Sequence, residues 1–167
     1  RVNGYHLHIA AAGPSSFEEL DEYLKSVGVS NRNERARLID LNTNPNSLFA
    51  AKRRRGVRPR IVARPLSVED DVKPVVDYLC EIGVNKENLP VMLTTQPAMI
   101  GYSVENHLKP LIEYLLEVGV EDIGGLLEKR PTLMGLSVDQ SLRKIVDYLQ
   151  STDTPPEKII EYLGTSI

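Results

Sequence analysis

Residues 103–119 read SVENHLKPLIEYLLEVG, and the chain repeats this pattern on both sides of them. The neighbouring copies are SVEDDVKPVVDYLCEIG at 67–83 and SVDQSLRKIVDYLQ at 137–150, so successive copies begin 36 and 34 residues apart. Repeats of this length are small units that bury their apolar faces only by stacking on each other. The sequence therefore predicts an all-α helical-repeat solenoid that works through an extended surface, and a deep catalytic pocket is not expected.

Each copy contains the signals that start and end a helix. A serine that can accept hydrogen bonds from backbone N–H groups opens every copy, at Ser67, Ser103 and Ser137. Apolar residues then recur at the i, i+3, i+4, i+7 spacing of one buried stripe. Gly83 and Gly119 follow the helices. Each is predicted to adopt the left-handed conformation that closes a helix, with the next valine packing back on it.

Three features inside these helices carry further expectations. Pro74 and Pro110 lack a backbone N–H and are predicted to kink their helices, so the last copy, with Lys144 in that place, should be straighter. Cys80 lies beside the apolar stripe and is interpreted as a small core residue. The tyrosines that recur with the copies are expected to pack; these are Tyr78, Tyr114 and Tyr148.

A shorter second helix is predicted behind the first two copies, at about 85–95 and 121–129. Pro97 and Pro131 end these helices, and the apolar segments PAMIG and PTLMG suit one 3₁₀-like turn each. A degenerate copy precedes them, with Leu48 and Phe49 in its terminal turn. The predicted organisation is an N-terminal segment of unassigned structure at 1–16, a degenerate first repeat at 17–49, a basic insertion at 50–65, a second repeat at 66–101, a third at 102–135 and a truncated last repeat at 136–167.

The composition of the chain is uneven in charge and excludes two classes of protein, those held by internal disulfides and those that span a membrane with an apolar helix. The net charge of −3 hides an asymmetry, because residues 1–65 sum to +6 and residues 66–167 to −9. The single cysteine excludes a disulfide within the chain, and no apolar run is long enough to span a membrane. Because the chain starts at Arg1 and not at methionine, we interpret it as a mature or truncated piece whose targeting segment, where one exists, is missing.

The insertion at 50–65 is strongly basic, with no acidic residue between Asp40 and Glu69. The guanidinium group of arginine matches phosphate geometry, which predicts sequence-independent binding of nucleic acid. Two alternatives stay open: a solvated loop without a ligand, and an acidic partner such as another protein or the chain's own acidic half. Because consecutive basic residues cannot share one side of a regular element, residues 52–64 are predicted to be largely non-helical. The cations are Lys52, Arg53, Arg54, Arg55, Arg58, Arg60 and Arg64.

No constellation of residues points to catalysis or to a cofactor. His6 and His8 lie near the N-terminus and His107 lies far away on a helix, which is not a metal-binding set. The sequence has neither a Gly-rich phosphate loop nor a G-x-S-x-G motif, and its carboxylates are scattered over polar faces. We therefore expect no enzyme activity, no bound metal and no cofactor.

The repeat resembles the mTERF motif of the mitochondrial transcription termination factor family, clearly over residues 66–163 and loosely over 17–49. The residues that carry the resemblance are the serine-led helix starts, Leu108–Lys109–Pro110, the Tyr–Leu pairs, Gly119–Val120 and the Pro131–Leu133 turn. Repetition in register makes the resemblance more specific than any single copy. The signature residues of tetratricopeptide and ankyrin repeats are absent.

The resemblance implies a left-handed solenoid of about four units, each with two helices and a short 3₁₀ turn; the spacing alone permits either hand. It also implies an organellar protein, of mitochondrion or chloroplast. Such a protein binds double-stranded DNA or RNA and acts in transcription termination, transcription regulation or RNA maturation. The inner-face contacts that it implies are Lys109, Lys129, Arg130 and Arg143. For Lys129 and Arg130 the alternative is a surface role at the negative end of a helix dipole.

The acidic repeats support a second hypothesis, a protein-interaction solenoid that docks a basic partner such as a ribosomal or RNA-processing protein. The location of Glu113, Glu117 and Asp147 separates the two hypotheses. Acids on the concave side would repel nucleic acid there, whereas acids on the convex side would leave it accessible. No aromatic ladder for stacking bases is visible, so sequence-specific reading of single strands is not expected.

Overall fold

The computed structural model describes residues 13–51 and 61–165, and within these ranges every regular element is helical and no strand occurs. We use the names unit 1 to unit 4 for residues 17–49, 66–101, 102–135 and 136–167. The α-helices are α1 (Phe17–Val27), α2 (Arg32–Thr43), α3 (Leu48–Ala51), α4 (Lys73–Glu81), α5 (Leu89–Thr95), α6 (Lys109–Val118), α7 (Ile123–Lys129), α8 (Arg143–Ser151) and α9 (Pro156–Thr165). The first helices of the units are α1, α4, α6 and α8, and the second helices are α2, α5, α7 and α9.

The serines start the first helices of units 2 to 4, as predicted. The Oγ atoms of Ser67, Ser103 and Ser137 accept hydrogen bonds from the backbone N–H groups three residues on, at 3.2, 3.1 and 3.3 Å. A π turn follows each cap, with backbone hydrogen bonds that span five residues in place of four, before the α-helix begins. The π turns are Val68–Val72, Val104–Leu108 and Val138–Leu142.

The π turns correct the expectation about the prolines. Pro74 and Pro110 stand in the first turn of α4 and α6, where a missing N–H costs little. Unit 4 has Lys144 in that place, yet it contains the same π turn, closed by a hydrogen bond from the N–H of Arg143 to the carbonyl of Val138. The first helix of unit 4 is therefore no more regular than the others, and the irregularity belongs to the serine-led start and not to proline.

The ends of the first helices also follow the prediction. Gly83 and Gly119 have φ angles of 107° and 108°. The N–H groups of the valines that follow them donate to carbonyl oxygens five residues earlier, at 2.9 and 3.0 Å, and both valines are buried. This is the left-handed helix end that glycine adopts without strain. Unit 4 has Asp153 at the equivalent position, with a φ of 58°, so a side chain is held there in the left-handed region.

The second helices of units 2 and 3 end before Pro97 and Pro131, and the predicted 3₁₀ turns Pro97–Gly101 and Pro131–Gly135 follow. The corresponding segment of unit 1 is different. It forms the short helix α3, and Leu48 is 78% exposed. The residue buried at this place is the neighbouring Ser47, whose hydroxyl donates to Asp40.

The units stack in sequence order on one continuous aliphatic core. Every pair of elements in substantial contact lies within one unit or in two consecutive units. Units 2 and 3 approach closely at Gly124 of α7, where an added Cβ would lie 2.3 Å from the carbonyl carbon of Gly83. The two backbones therefore touch at this junction, and no side chain fits between them.

The recurring tyrosines do not all pack. Tyr114 is buried and Tyr78 is half-buried, as the sequence predicts, but Tyr148 is 67% exposed. The prediction is wrong for Tyr148 because packing here comes from the next unit: Tyr114 lies under Arg143 of unit 4, and no later unit covers Tyr148 in the described part of the chain.

Candidate nucleic-acid interface

Most of the basic insertion lies outside the described residues. This holds for Lys52, Arg53, Arg54, Arg55, Arg58 and Arg60, and for the prediction that this stretch is non-helical. The final part of the insertion, residues 61–64, is described and contains no helix. The structure therefore gives the surroundings of five predicted contact residues, namely Arg64, Lys109, Lys129, Arg130 and Arg143.

Arg64 binds the protein itself. Its guanidinium donates to a carboxylate oxygen of Asp71 at 3.1 Å and to the carbonyl oxygen of Gly101 at 3.0 Å. Its backbone N–H donates to the carbonyl oxygen of Asn42 at 3.0 Å. These bonds fasten the end of the basic insertion to units 1 and 2, while 43% of the Arg64 side chain stays exposed to solvent.

Lys109 and Arg143 occupy equivalent positions in units 3 and 4 and make equivalent contacts. Each pairs with the acid four residues earlier, Glu105 for Lys109 and Asp139 for Arg143. The hydrogen bond that the Lys109 ammonium donates to the Glu105 carboxylate raises the pKa of Lys109. The Arg143 guanidinium also lies 4.6 Å from the ring centre of Tyr114 in unit 3, at cation–π distance. Both cations are therefore already engaged on the surface of the first helices.

Lys129 and Arg130 have different surroundings. They follow each other at the end of α7, where the partial negative charge of the helix end favours cations. Lys129 is exposed and Arg130 half-buried, and neither side chain makes an ion pair or a hydrogen bond within the described ranges. A Cβ placed on Gly164 would lie 3.7 Å from Lys129 Nζ, so the lysine extends over α9. These two cations are available to an anion in a way that Lys109 and Arg143 are not.

Charge is divided between the two sides of the stack. The first helices, taken as residues 16–27, 67–82, 103–118 and 137–151, carry 14 acidic and 5 basic side chains. The second helices, taken as residues 31–43, 85–95, 121–130 and 155–165, carry 8 acidic and 7 basic side chains. A polyanion is therefore repelled from the first-helix side and meets a nearly neutral surface on the second-helix side.

A groove of about 520 Å³ lies between the first helices of units 2 and 3. Its two cations, Arg64 and Lys109, are already paired with carboxylates. Burial raises the pKa of Tyr78 in its wall; Lys109 lowers this pKa, and Glu81, Glu113 and Glu105 raise it. The acids that line the groove are Asp70, Asp71, Asp77, Glu81 and Glu105.

The acids that separate the two hypotheses lie on this first-helix side. Glu113 acts on Tyr78 as described. Burial raises the pKa of Tyr114, Arg143 lowers it, and Asp147 and Glu117 raise it further. Neighbouring first helices thus bring carboxylates together along the whole row of junctions.

The spacing of acidic residues in the sequence distinguishes the candidate cations that form ion pairs from those that do not. An acid stands four residues before Lys73, Lys109 and Arg143, and this spacing pairs opposite charges on one face of a helix. Lys129 and Arg130 have Gly125 and Leu126 at that distance, and neither makes an ion pair with any residue that the structure describes. The other cations without an ion pair in the described part of the chain were not among the predicted contacts; they are Lys25, Arg32, Lys86 and Lys144.

Residues 13–51 and 61–165 contain neither a metal-binding cluster nor a membrane-spanning helix. No group of three or more His, Cys, Asp or Glu side chains there is placed to hold a metal ion. None of the helices in these ranges combines the length and the apolar character that a membrane crossing requires.

The sequence profile of the mTERF family matches residues 64–166, which is more than half of the chain, and the chain therefore belongs to the mTERF family. Membership agrees with the all-helical stack and with the repeat seen in the sequence. Proteins of this family are generally organellar, and the match indicates regulation through nucleic-acid binding in general terms. Comparison with curated proteins and with solved structures gives no significant match.

Proposed function

We propose that this chain binds nucleic acid in a mitochondrion or a chloroplast and regulates gene expression there, in transcription termination, transcription regulation or RNA maturation. The proposed form is a left-handed solenoid of about four units, and its role is binding and not catalysis. The observation that carries the proposal is the contrast between paired and unpaired cations. Neighbouring acids hold Lys109 and Arg143, whereas Lys129 and Arg130 have no such partner among residues 13–51 and 61–165.

A paired cation and an unpaired cation contribute different free energies to the binding of a phosphate. Binding to a nucleic acid is driven by the release of counterions when cations neutralise phosphates. A cation that already pairs with a carboxylate must give up this partner first, so its net contribution is small. The proposed contacts are therefore Lys129 and Arg130 on the second-helix side, together with the basic insertion. Arg64 at the end of the insertion already pairs with Asp71, so its own contribution should be small.

The test is a set of binding curves for duplex DNA, duplex RNA and single strands of equal length, measured by fluorescence anisotropy from low to moderate salt. The triple variant Arg53→Ala, Arg54→Ala, Arg55→Ala should bind all sequences more weakly and flatten the salt slope by about two to three. The double variant Lys129→Ala, Arg130→Ala should flatten it by up to about two.

A matched control removes two cations that are paired. The double variant Lys73→Ala, Lys109→Ala deletes the same charge as the Lys129, Arg130 variant, but both lysines have a glutamate partner. Its salt slope should stay close to that of the parent chain. A control slope that flattens as much as the test slope would show that phosphates lie on the first-helix side, and unchanged slopes in both other variants would refute nucleic-acid binding by these residues.

A second candidate function is the docking of a basic protein, such as a ribosomal or RNA-processing protein, in the acidic groove between units 2 and 3. The observation that favours it is the excess of carboxylates in that groove, whose own cations are already paired. An oligoarginine peptide is the probe, titrated into the parent chain and into the variant Asp77→Asn, Glu81→Gln. Salt-dependent binding that the variant loses, together with no affinity for any nucleic acid, would make this candidate the leading one.

A further inference from the structure

The glycines that end the first helices of units 1 and 2 contact the second helix of the next unit. A Cβ added to Gly28 would lie 3.1 Å from Cγ of Pro90 in α5. Gly83 touches the backbone of Gly124 in α7. At Gly119 no described atom lies within 4 Å of an added Cβ. The first two junctions are therefore closed by direct contact at this place, whereas the third is open.

The residue at position 160 explains the difference. Pro90, Gly124 and Ile160 occupy equivalent places in their second helices, because each follows a buried aliphatic residue. These aliphatic residues are Leu89, Ile123 and Ile159. The close approach at Gly124 leaves no space for a Cβ. Ile160 brings a branched side chain to the same place, so α9 cannot approach the Gly119 turn in this way. The opening is thus a property of the α9 sequence.

The opening forms a groove of about 750 Å³ between α7 and α9, which we call the α7–α9 groove. Its size is in the range of ligand-binding sites. The apolar residues that line it are Val120, Leu126, Pro156 and Ile160. Three glycines also line the groove and do not narrow it with side chains; they are Gly119, Gly125 and Gly164. The groove therefore has an apolar floor on which an aliphatic side chain of a partner can pack.

Charged side chains are sorted along the α7–α9 groove. Glu121, Asp122 and Glu157 line the end at which α7 and α9 begin. Asp122 already accepts a hydrogen bond from the Gly125 N–H at 3.0 Å. Glu121 and Glu157 are exposed, and neither makes an ion pair within the described ranges. This end of the groove therefore attracts a cation.

The other end of the groove has the opposite charge. Lys129 lines the groove where α7 ends, and a Cβ added to Gly164 would lie 3.7 Å from Lys129 Nζ. This ammonium makes no ion pair within residues 13–51 and 61–165. Between the two ends, Glu161 is already paired with Lys158 at 3.1 Å. An acidic group of a ligand is therefore attracted to the end at Lys129.

The length and the charges of the groove define its occupant. The seven residues of α7 span about 10 Å, which two turns of a third helix also span. A groove between two helices accepts such a helix through residues at i, i+3, i+4 and i+7, which share one face. An acid at i then meets Lys129, aliphatic residues at i+3 and i+4 meet the apolar floor, and a cation at i+7 meets Glu121 and Glu157. In this direction the acid and the cation also stabilise the docked helix through its own dipole.

We propose that the α7–α9 groove docks a short amphipathic helix of a partner protein, which runs antiparallel to α7 and α9. The first turn of this helix carries an acid, its centre carries two aliphatic residues, and its last turn carries a lysine or arginine. The proposal does not rest on phosphate binding by Lys129. Its test contains no nucleic acid, so the two proposals fail or hold separately.

The probe is a capped, helix-stabilised, alanine-based peptide with Glu, Leu, Leu and Lys at positions i, i+3, i+4 and i+7. It is titrated into the full chain with labelled isoleucine methyl groups, and the Ile160 signal is followed by NMR. We expect a saturable shift of this signal. A matched peptide exchanges Glu and Lys and keeps the composition. It should bind about three- to tenfold more weakly, because both of its charges then meet like charges in the groove.

Charge reversal in the full chain tests the contact at Lys129. Lys129→Glu places acids at both ends of the groove, so the chain should no longer prefer one peptide to the other. Lys86→Glu is the matched control, because it makes the same charge change at an exposed lysine that does not line the groove. This variant should keep the preference of the parent chain. Since both lysines are exposed, the thermal midpoint should not change in either variant.

The proposal is overturned by the absence of a saturable Ile160 shift with the first peptide, or by equal affinity of the parent chain for the two peptides. It is also overturned where Lys129→Glu keeps the preference, because the acid of the peptide then does not contact Lys129. A shift of the Ile160 signal that depends only on the concentration of the chain would make a second copy the occupant and would exclude a separate partner.

Discussion

The junction between units 2 and 3 and the junction between units 3 and 4 contain the same helix end but differ in how they close. Gly83 and Gly119 have almost the same φ, 107° and 108°. At Gly83 the next unit approaches so closely that a Cβ on Gly124 would meet the Gly83 carbonyl carbon at 2.3 Å, and the Asn85 N–H also donates to the Glu128 carboxylate at 2.6 Å. At Gly119 nothing lies within 4 Å of an added Cβ.

The open junction is bounded by a groove of about 750 Å³, lined on one side by Gly119, Val120 and Leu126 and on the other by Pro156 and Ile160 of α9. A glycine that ends a helix can therefore be needed for two separate reasons. Gly119 is needed only for its backbone angle, whereas the Gly83 turn also needs bare backbone on the helix that packs against it. Substitutions at the two junctions can separate these requirements.

The largest expected effect is at the closed junction. Gly124→Ala places a methyl group against backbone that cannot move away, so the free energy of unfolding should fall by about 3 kcal/mol, measured by urea denaturation. Gly125→Ala is the control: its Cβ would meet the side chain of Asp122, which caps α7 by accepting a hydrogen bond from the Gly125 N–H. The loss of that cap costs about 1 kcal/mol and the gain in helix propensity returns about as much. Equal effects of the two variants would mean that the backbones do not touch.

The open junction should respond only to backbone angle. Gly119→Val should lower the free energy of unfolding by about 1–2 kcal/mol, because a β-branched side chain fits poorly at positive φ. Gly119→Asn should lower it by less, since asparagine tolerates this region. A urea midpoint for Gly119→Val equal to that of the parent chain would show that this turn can change its conformation, and that the groove leaves room for the change.

The last unit allows the opposite substitution. Asp153 holds the left-handed position with a side chain, so Asp153→Gly should raise the free energy of unfolding by about 0.5–1 kcal/mol. The adjacent Thr152 has a φ of −94°, and Thr152→Gly should destabilise by a similar amount. Thermal unfolding of both variants beside the parent tests the assignment, and a loss of stability in Asp153→Gly would refute it.

The smallest expected effect is at the junction between units 1 and 2, where burial and the carboxylate of Asp77 raise the pKa of Tyr23. Because Tyr23 has a pKa near 12 in the folded chain and near 10 when unfolded, its contribution to stability is complete below pH 10 and is lost as the pH rises from 10 to 12. Tyr23 is only half-buried and solvent screens its interactions, so the change should stay below about 1 kcal/mol. The free energy of unfolding of the parent chain should fall more steeply than that of Tyr23→Phe over this pH range. Parallel curves would contradict the burial of Tyr23 at this junction.

The helix caps and turns of this fold could be predicted from the sequence, whereas the contacts between units could not. The Ser103 cap, the Gly119 turn and the Pro131 turn each depend on residues within a few positions of each other, so their residue types were sufficient. The exposure of Tyr148 depends on whether another helix covers it. The need for bare backbone at Gly124 depends on how closely two units approach, which no pattern within one unit records.

The candidate site divides in the same way. The basic insertion was found from residue type, and the pair Lys129–Arg130 from the resemblance to the mTERF family; whether they contact phosphate remains a prediction. The engagement of Lys109 and Arg143 has two parts. Their pairing with acids follows from the four-residue spacing. The position of Arg143 over Tyr114 depends on the angle between α6 and α8, and the repeat pattern does not contain that angle.

Contacts restricted to consecutive units also determine how the molecule responds to mechanical load. In the described part of the chain, a pull passes through the junctions one after another, as through links in series, because no substantial contact between distant units shares it. Each link bears the full tension, so the loosest one yields first. Of the two junctions compared above, the one between units 3 and 4 is the more open, with its groove beside Gly119, and we expect it to be that link. Stretching should therefore begin with the detachment of α9 and proceed towards the N-terminus in steps of one unit.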